Sequence, residues 1–302
     1  MSGRLQMNIF SGLEKIVERD YPLANHTWYR LGGPADYFIR PGTVEELQET
    51  IRRCRENDIS IYVLGHGSNL LISDKGVRGA VIKLDGKRFQ EVIFDSEQTG
   101  LTAWAGADLR SLVRESAKKG LSGLEALTGI PGSIGGAVTK NAGGRFGDIG
   151  TVVESVTLMD SQGELFEKNK PELVFDYRET NITARFILNA KMKLVPSEPE
   201  QILRSIKEVW IYKENNQPGL ETRNAGCVFK NPGEESAGVL IDRAGLKGLQ
   251  IGGAVISEKH ANFIIAREGC TSRDVMRLIE AVIDRVKEQF GTELELEIDI
   301  WK

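Results

Sequence analysis

The sequence predicts an α+β protein of at least two domains that meet near residue 197. Three observations carry this. Strand-like and helix-like segments alternate irregularly, not in repeating strand–helix units. Pro196 and Pro199 break the chain between an apolar strand pattern, "RFILNAKMKL", and a helical one. The chain ends on "ELELEIDIW", which places Leu294, Leu296, Ile298 and Ile300 on one face of a strand and Glu293, Glu295, Glu297 and Asp299 on the other.

Each element has its own signal. "TVEELQETIRRC" opens with a capping box, Thr43 with Glu46 three residues on, and repeats apolar positions at Leu47, Ile51 and Cys54. That stripe assigns Cys54 to a buried helix face. "IYVLG" and "AVIKL" read as buried strands around a glycine-rich loop. Residues 88–107 read as a hairpin, and "DLRSLVRESAKKG" as a helix closed by Gly120. "GIPGSIGGAVTKNAGG" is too dense in glycine for a regular element. "SVTLMDSQGELFEK" is a second hairpin turning at Ser161-Gln162-Gly163. A long helix is expected from about Glu198 to Asn215, then "SAGVLIDRAG", two short strands and the helix "SRDVMRLIEAVIDRVKEQFG". There is no internal repeat.

Composition narrows the function classes. The chain has 302 residues, 40% hydrophobic and 27% charged, and a net charge of −4. That balance gives no general attraction to nucleic acid or anionic membrane. No apolar run approaches the ~20 residues that span a bilayer, and the N-terminus lacks the pattern of a signal peptide. Cys54, Cys227 and Cys270, the three cysteines of the chain, make neither a disulfide framework nor a zinc site. No metal and no obligatory protein partner are expected, and the expected location is cytoplasmic.

Two loops could hold a ligand. In "VLGHGSNLLI", Gly65 and Gly67 permit a tight turn of converging N–H groups, and Ser68 and Asn69 add side-chain donors. Such a nest suits a phosphate or pyrophosphate. Taken alone, one such loop reads first as a plain strand-to-strand turn. A dinucleotide fingerprint G-x-G-x-x-G is absent, because position 70 is leucine and "GIPGSIGG" misses the spacing.

Together with "NHTWYRLGGPA", these segments (25–35, 64–72 and 129–143) resemble the flavin-binding half of the UDP-N-acetylenolpyruvoylglucosamine reductase family, the UDP-N-acetylmuramate dehydrogenases. The resemblance continues in order through "FDYRET", "NAGCVFKNP", "AGLKGLQIGGAVISEKHANFII" and the acidic C-terminal strand, so it covers nearly the whole chain. It implies a two-lobed FAD-binding domain of the p-cresol methylhydroxylase type, lobes 1–84 and 85–197, then a smaller α+β substrate-binding domain at 198–302 whose strand 293–301 returns to the active site. It implies noncovalent FAD, held by Asn25, Thr27, Gly33, Gly65, His66, Gly67, Ser68, Asn69, Gly129, Pro131, Gly132, Ser133, Gly135, Gly136 and Asn141. His66 departs from the glycine more common in the family. A histidine could tether flavin, but its side chain is expected to point to solvent while its backbone serves the nest.

The implied reaction is NADPH-dependent reduction of UDP-N-acetylglucosamine enolpyruvate to UDP-N-acetylmuramate, a step of peptidoglycan precursor synthesis. Hydride addition to an enolpyruvyl ether leaves negative charge at the α-carbon, so the site needs a cationic stabiliser and a general acid. Arg178 matches the family's catalytic arginine, whose fork can grip the substrate carboxylate. Read alone, it is more often a surface ion pair. Glu297 matches the acidic partner, though four acids share that face. Cys227 matches the proton donor, usually serine; read alone, it is a buried structural cysteine. A thiol with an ordinary pKa of about 8.5 is a far stronger acid than an alcohol. Gly226 would let the backbone come close, and Lys230 would ionise the thiol in part. Tyr177, Lys213, Gln217, Lys230 and Asn231 are the substrate-side candidates. Glu214 stands where many members carry a positive charge. Two rivals remain: another flavin oxidoreductase acting on an alcohol or sugar, and a non-catalytic nucleotide-binding relative.

Overall fold

The computed structural model describes residues 9–97, 99–233 and 235–302. The N-terminal part is built on a four-stranded sheet, in the order Val17–Pro22, Pro34–Ile39, Val77–Lys83, Ile61–Leu64. The first pair is antiparallel and the other two pairs are parallel. Helix α1 (Val44–Glu56) makes the parallel crossover. Its N-cap Thr43 accepts the N–H of Glu46, and Leu47, Ile51 and Cys54 are buried as their spacing requires. The Glu46 carboxylate reaches back to the Gly42 N–H at 2.6 Å, one residue before the position that a strict capping box uses.

A second, wholly antiparallel sheet of five strands follows, in the order Leu165–Asn169, Val153–Met159, Phe186–Lys193, Gly100–Trp104, Val92–Phe94. Both expected hairpins are present in it. Helix α2 (Leu109–Lys118) packs beside it, capped by Asp108, and the chain leaves that helix through Gly120. The two sheets share one core: Ile39 and Ile82 of the first, with Ile51 of α1, pack with Trp104, Met159 and Phe186 of the second.

The glycine-dense stretch departs from expectation. It contains a short helix, α3 (Ile134–Thr139), capped by the Ser133 hydroxyl, with Ile134, Ala137 and Val138 buried. Here glycine serves close packing: a Cβ on Gly135 would sit 2.9 Å from that of Ala105. Packing on a neighbour overrides the poor helix propensity of glycine.

Helix α4 (Pro199–Asn216) forms nearly over the expected span. It lies against α2, and its Ile206 joins the core of the five-stranded sheet. Ile206 thereby ties α4 to the sheet that precedes it in the chain.

The remaining segment has its own core, built from α5 (Ala237–Arg243), α6 (Ser272–Phe290) and a three-stranded sheet, Gln250–Ile251, Ala254–Ile256 and Ile264–Ala266. Tyr29 and Leu71 of the N-terminal lobe are part of that core.

The C-terminal alternation is only partly realised. Asp299–Trp301 pairs in parallel with Leu70–Ile72, and Leu296 makes a single bridge to Phe229. Between these two anchors the chain bends at Ile298. The Glu297 N–H goes to the Val228 carbonyl at 2.8 Å and that of Asp299 to Asn69 at 2.9 Å, so the segment changes partner midway. Hence the four acids do not share one face: Glu293, Glu295 and Asp299 are exposed, whereas the side chain of Glu297 is 14% exposed. Among the described residues no helix is long and apolar enough to cross a membrane.

Candidate active site

The strand Ile61–Leu64 delivers the loop "GHGSN" to one wall of a cavity of about 600 Å³, a volume suited to a cofactor. Gly67 adopts φ +64°, and a Cβ there would lie 2.0 Å from the His26 carbonyl oxygen, so only glycine fits. The Ser68 hydroxyl donates to the Pro131 carbonyl at 2.8 Å, tying this loop to the second glycine-rich segment. Among the described residues, the N–H groups of His66, Gly67, Ser68, Asn69, Gly132 and Ser133 meet no acceptor. Six orphan donors on two facing loops fit a bound pyrophosphate, which would satisfy them.

The same loop positions the acid. The Asn69 side chain donates to the Glu297 carbonyl at 3.0 Å, while the Asn69 carbonyl accepts from Asp299. Nest and Glu297 are thereby fixed to each other.

Arg178 arrives from a tight hairpin that pairs Asp176 with Glu179. It holds φ +62°, a left-handed conformation uncommon for arginine and frequent at functional turns. Its Nε lies 2.5 Å from Glu297 Oε1, and the two side chains are 18% and 14% exposed. Burial pushes the Glu297 carboxyl above its usual value, against the opposing pull of Arg178, Lys140 and Lys230.

Cys227 opens on the same cavity. Val228 donates to the Asn262 carbonyl, and Lys230 donates to that of Glu295, which aligns this segment antiparallel to residues 295–297. The turn into Cys227 is held by the buried Asn224, whose side-chain oxygen accepts from the Gly226 N–H at 2.9 Å. Gly226 is required for its φ of +76°; space around it is open, so close approach is not its role. Burial, reinforced by Glu297 and opposed by Arg178, pushes the Cys227 thiol up to about 12. The expected partial ionisation beside Lys230 is therefore corrected. The Lys230 ammonium lies 3.5 Å from the Glu295 carboxylate, and the thiol stays protonated at neutral pH.

Lys213 and Gln217, at the end of α4, also line the cavity. Burial, aided by Arg178, pushes the Lys213 amine down to about 8; its Nζ donates to the Thr128 carbonyl at 2.6 Å.

Of the sequence candidates, Gly65, His66, Gly67, Ser68, Asn69, Gly129, Pro131, Gly132, Ser133, Gly135 and Gly136 border the cavity with Arg178, Lys213, Gln217, Cys227 and Glu297. Others stand outside it. Asn25 is exposed, and Thr27 is buried, its hydroxyl donating to the Leu31 carbonyl at 2.8 Å. Gly33 lets the chain pass Asp74, whose carbonyl oxygen a Cβ would meet at 2.3 Å. Asn141 is buried, donating to the Asp176 carbonyl at 2.9 Å, and so braces the hairpin that carries Arg178. Asn231 accepts from the Ala237 N–H, and the Tyr177 hydroxyl accepts from the Asn231 N–H at 3.3 Å. Lys230 borders a smaller recess behind the Arg178–Glu297 pair.

His66 does not point to solvent: its Nδ1 lies 3.5 Å from Asp108 and its side chain is 30% exposed. Sequence reasoning also missed Tyr212, which meets Phe146 edge-on at 5.4 Å at the cavity wall. Its place beside Lys213 was the available signal. Among the described residues no cluster could hold a metal ion.

Two glycine-lined loops with orphan donors, on this pair of sheets, define a flavin-binding protein, and residues 35–168 match the FAD binding domain family. Residues 217–301 match the family described as UDP-N-acetylenolpyruvoylglucosamine reductase, C-terminal domain. The UDP-N-acetylenolpyruvoylglucosamine reductase of Moorella thermoacetica is 41% identical over 302 residues, covering 100% of this chain and 97% of that one. That of Clostridium beijerinckii is 40% identical over 97% of this chain and 96% of its own. The crystal structure of the Thermus caldophilus enzyme superposes with a TM-score of 0.81 at 38% identity, covering 95% of this chain and 99% of that one. The chain belongs to the UDP-N-acetylenolpyruvoylglucosamine reductase family.

Proposed function

We propose that this protein reduces UDP-N-acetylglucosamine enolpyruvate to UDP-N-acetylmuramate with NADPH. The observation that carries the proposal is the meeting of Arg178, Glu297 and Cys227 in the cavity that the nest also lines. Bound FAD would accept hydride from NADPH and supply it to the β-carbon of the enolpyruvyl ether.

The chain's own residues handle the charge this creates. The Arg178 fork grips the substrate carboxylate as negative charge spreads from the α-carbon. Glu297 holds that fork in place. The arriving carboxylate is a second anion and pushes the Glu297 carboxyl in the same upward direction as burial does. Cys227 delivers a proton from Sγ to the α-carbon. A thiol pushed up to about 12 is reliably protonated at pH 7. The thiolate left behind faces the Arg178 cation. Lys213 and Gln217 hold the nucleotide side of the substrate, while Glu214 beside them is exposed and its carbonyl accepts from Lys259.

The domains follow the sheets: a nest-bearing lobe, a second lobe closed by α4, and a substrate-binding unit from about residue 217. A cytoplasmic location belongs to the same proposal and is supported by three free thiols. The experiment is to supply purified protein with NADPH and the enolpyruvyl nucleotide. Mass spectrometry of the product tests for gain of two hydrogens, and acid denaturation tests for release of FAD. Consumption of NADPH with an alcohol or sugar product and none with the enolpyruvyl nucleotide would refute it.

A further inference from the structure

The unmet N–H groups of the nest explain the backbone at position 66 but leave its imidazole without a purpose. That side chain lies against the other lobe. Its Nδ1 is 3.5 Å from Asp108 Oδ2, and Asp108 is the N-cap of α2, its Oδ1 accepting from the Ser111 N–H at 2.7 Å. Both side chains are 30% exposed and both border the cavity. The charged groups that act on His66 are Asp108 and Arg110 from α2, Lys83 at the end of its strand, and Asp85 just beyond. Lys83 is tied to the Gly65 carbonyl at 2.8 Å, and Arg110 lies 4.0 Å from Asp108.

A pyrophosphate on the N–H groups of His66 to Asn69 would bring two negative charges toward the carboxylate of Asp108. Like charges brought into one cavity oppose binding. An imidazolium between them reverses the sign of the interaction on both sides. We propose that His66 is a cofactor-binding side chain that takes up a proton as the FAD pyrophosphate settles in the nest, and so shields that anion from Asp108. The proposal rests on the flavin reading of the cavity.

Without the anion, burial and Lys83 push the His66 ring below its usual value, so it is neutral at pH 7 and the proton comes from solvent. The bound anion raises it. A group whose affinity for a proton rises on binding contributes fully below its free pKa, and the contribution fades as pH rises through the bound one. Affinity for FAD therefore falls with rising pH.

The test dilutes holoenzyme into buffers between about pH 5.5 and about pH 8.5 and reads released FAD by its fluorescence. Each unit by which binding raises the His66 pKa makes about a tenfold difference in affinity across that range. The wild type is expected to bind about tenfold tighter at the acid end. His66→Gln keeps a donor without a titration, and its profile is expected to be flat. Asp108→Asn preserves the helix cap, removes the repulsion and is expected to bind more tightly than wild type at the alkaline end. A His66→Gln profile as steep as that of the wild type overturns the proposal. If that variant retains too little flavin to measure, Asp108→Asn decides: alkaline affinity no better than wild type overturns it. A wild-type protein carrying no FAD at any pH overturns the flavin reading instead.

Discussion

Arg178 and Glu297 are 119 positions apart in the chain and 2.5 Å apart in space. The contact is built from two unrelated devices: a left-handed hairpin turn at Arg178, and a C-terminal segment that changes hydrogen-bond partner on either side of Glu297. Both groups are largely buried, so removing one strands the other's charge.

The first prediction follows from when these charges matter. Arg178→Ala and Glu297→Gln act on negative charge that arises only after hydride reaches the substrate. Reduction of the flavin by NADPH is expected to be spared, and its reoxidation by the enolpyruvyl nucleotide slowed by about 10²–10⁴-fold. Single-turnover measurement of the two half-reactions checks this. Equal slowing of both halves would assign the pair to structure.

Cys227 offers a second prediction. Cys227→Ser keeps a hydroxyl in place and is expected to retain much of the activity. Cys227→Ala is expected to lose about 10²–10⁴-fold in the oxidative half alone. Because the thiol is pushed up to about 12, iodoacetamide at neutral pH is expected to leave the wild type active over the time that modifies a free thiol. Rapid inactivation that substrate prevents would show a thiolate there.

Lys213 gives a pH dependence of stability. Its amine is pushed down to about 8 by burial, so between about 8 and its ordinary value of about 10.4 the unfolded chain binds the extra proton. Stability from this group therefore rises with pH across that window. Lys213→Met, which removes the burial cost, is expected to raise stability more at about pH 6.5 than at about pH 10, while raising KM. Urea unfolding at the two pH values reads the difference; an equal change at both would remove the buried ammonium as its cause.

Much of the fold was legible because its signals are local. Thr43 and the Leu47–Ile51–Cys54 stripe lie within one helix and specify it without help. The glycine-dense stretch was not legible, since α3 depends on Gly135 packing against Ala105, a residue from another element. The C-terminal alternation was over-read: its period says which residues can share a face, but Asn69 and Val228 decide where pairing stops. At the site, the nest and Arg178, Glu297 and Cys227 could be picked out by motif. Their meeting could not, and neither could the turn of His66 toward Asp108, because both depend on contacts between lobes.

Gly67 provides a fourth prediction. Gly67→Ala places a Cβ against the His26 carbonyl at 2.0 Å in a backbone conformation that alanine avoids. It is expected to lose bound flavin, seen as a colourless protein, while far-UV circular dichroism stays close to wild type. A yellow Gly67→Ala protein would place the pyrophosphate elsewhere.

The most direct measurement mixes the NADPH-reduced protein, without oxygen and with excess NADPH removed, with UDP-N-acetylglucosamine enolpyruvate and follows the flavin absorbance. The account predicts that the yellow colour returns in a single fast phase with one equivalent of UDP-N-acetylmuramate formed, and that the return is slow in Cys227→Ala. A reduced protein that stays bleached in the presence of the nucleotide would contradict it.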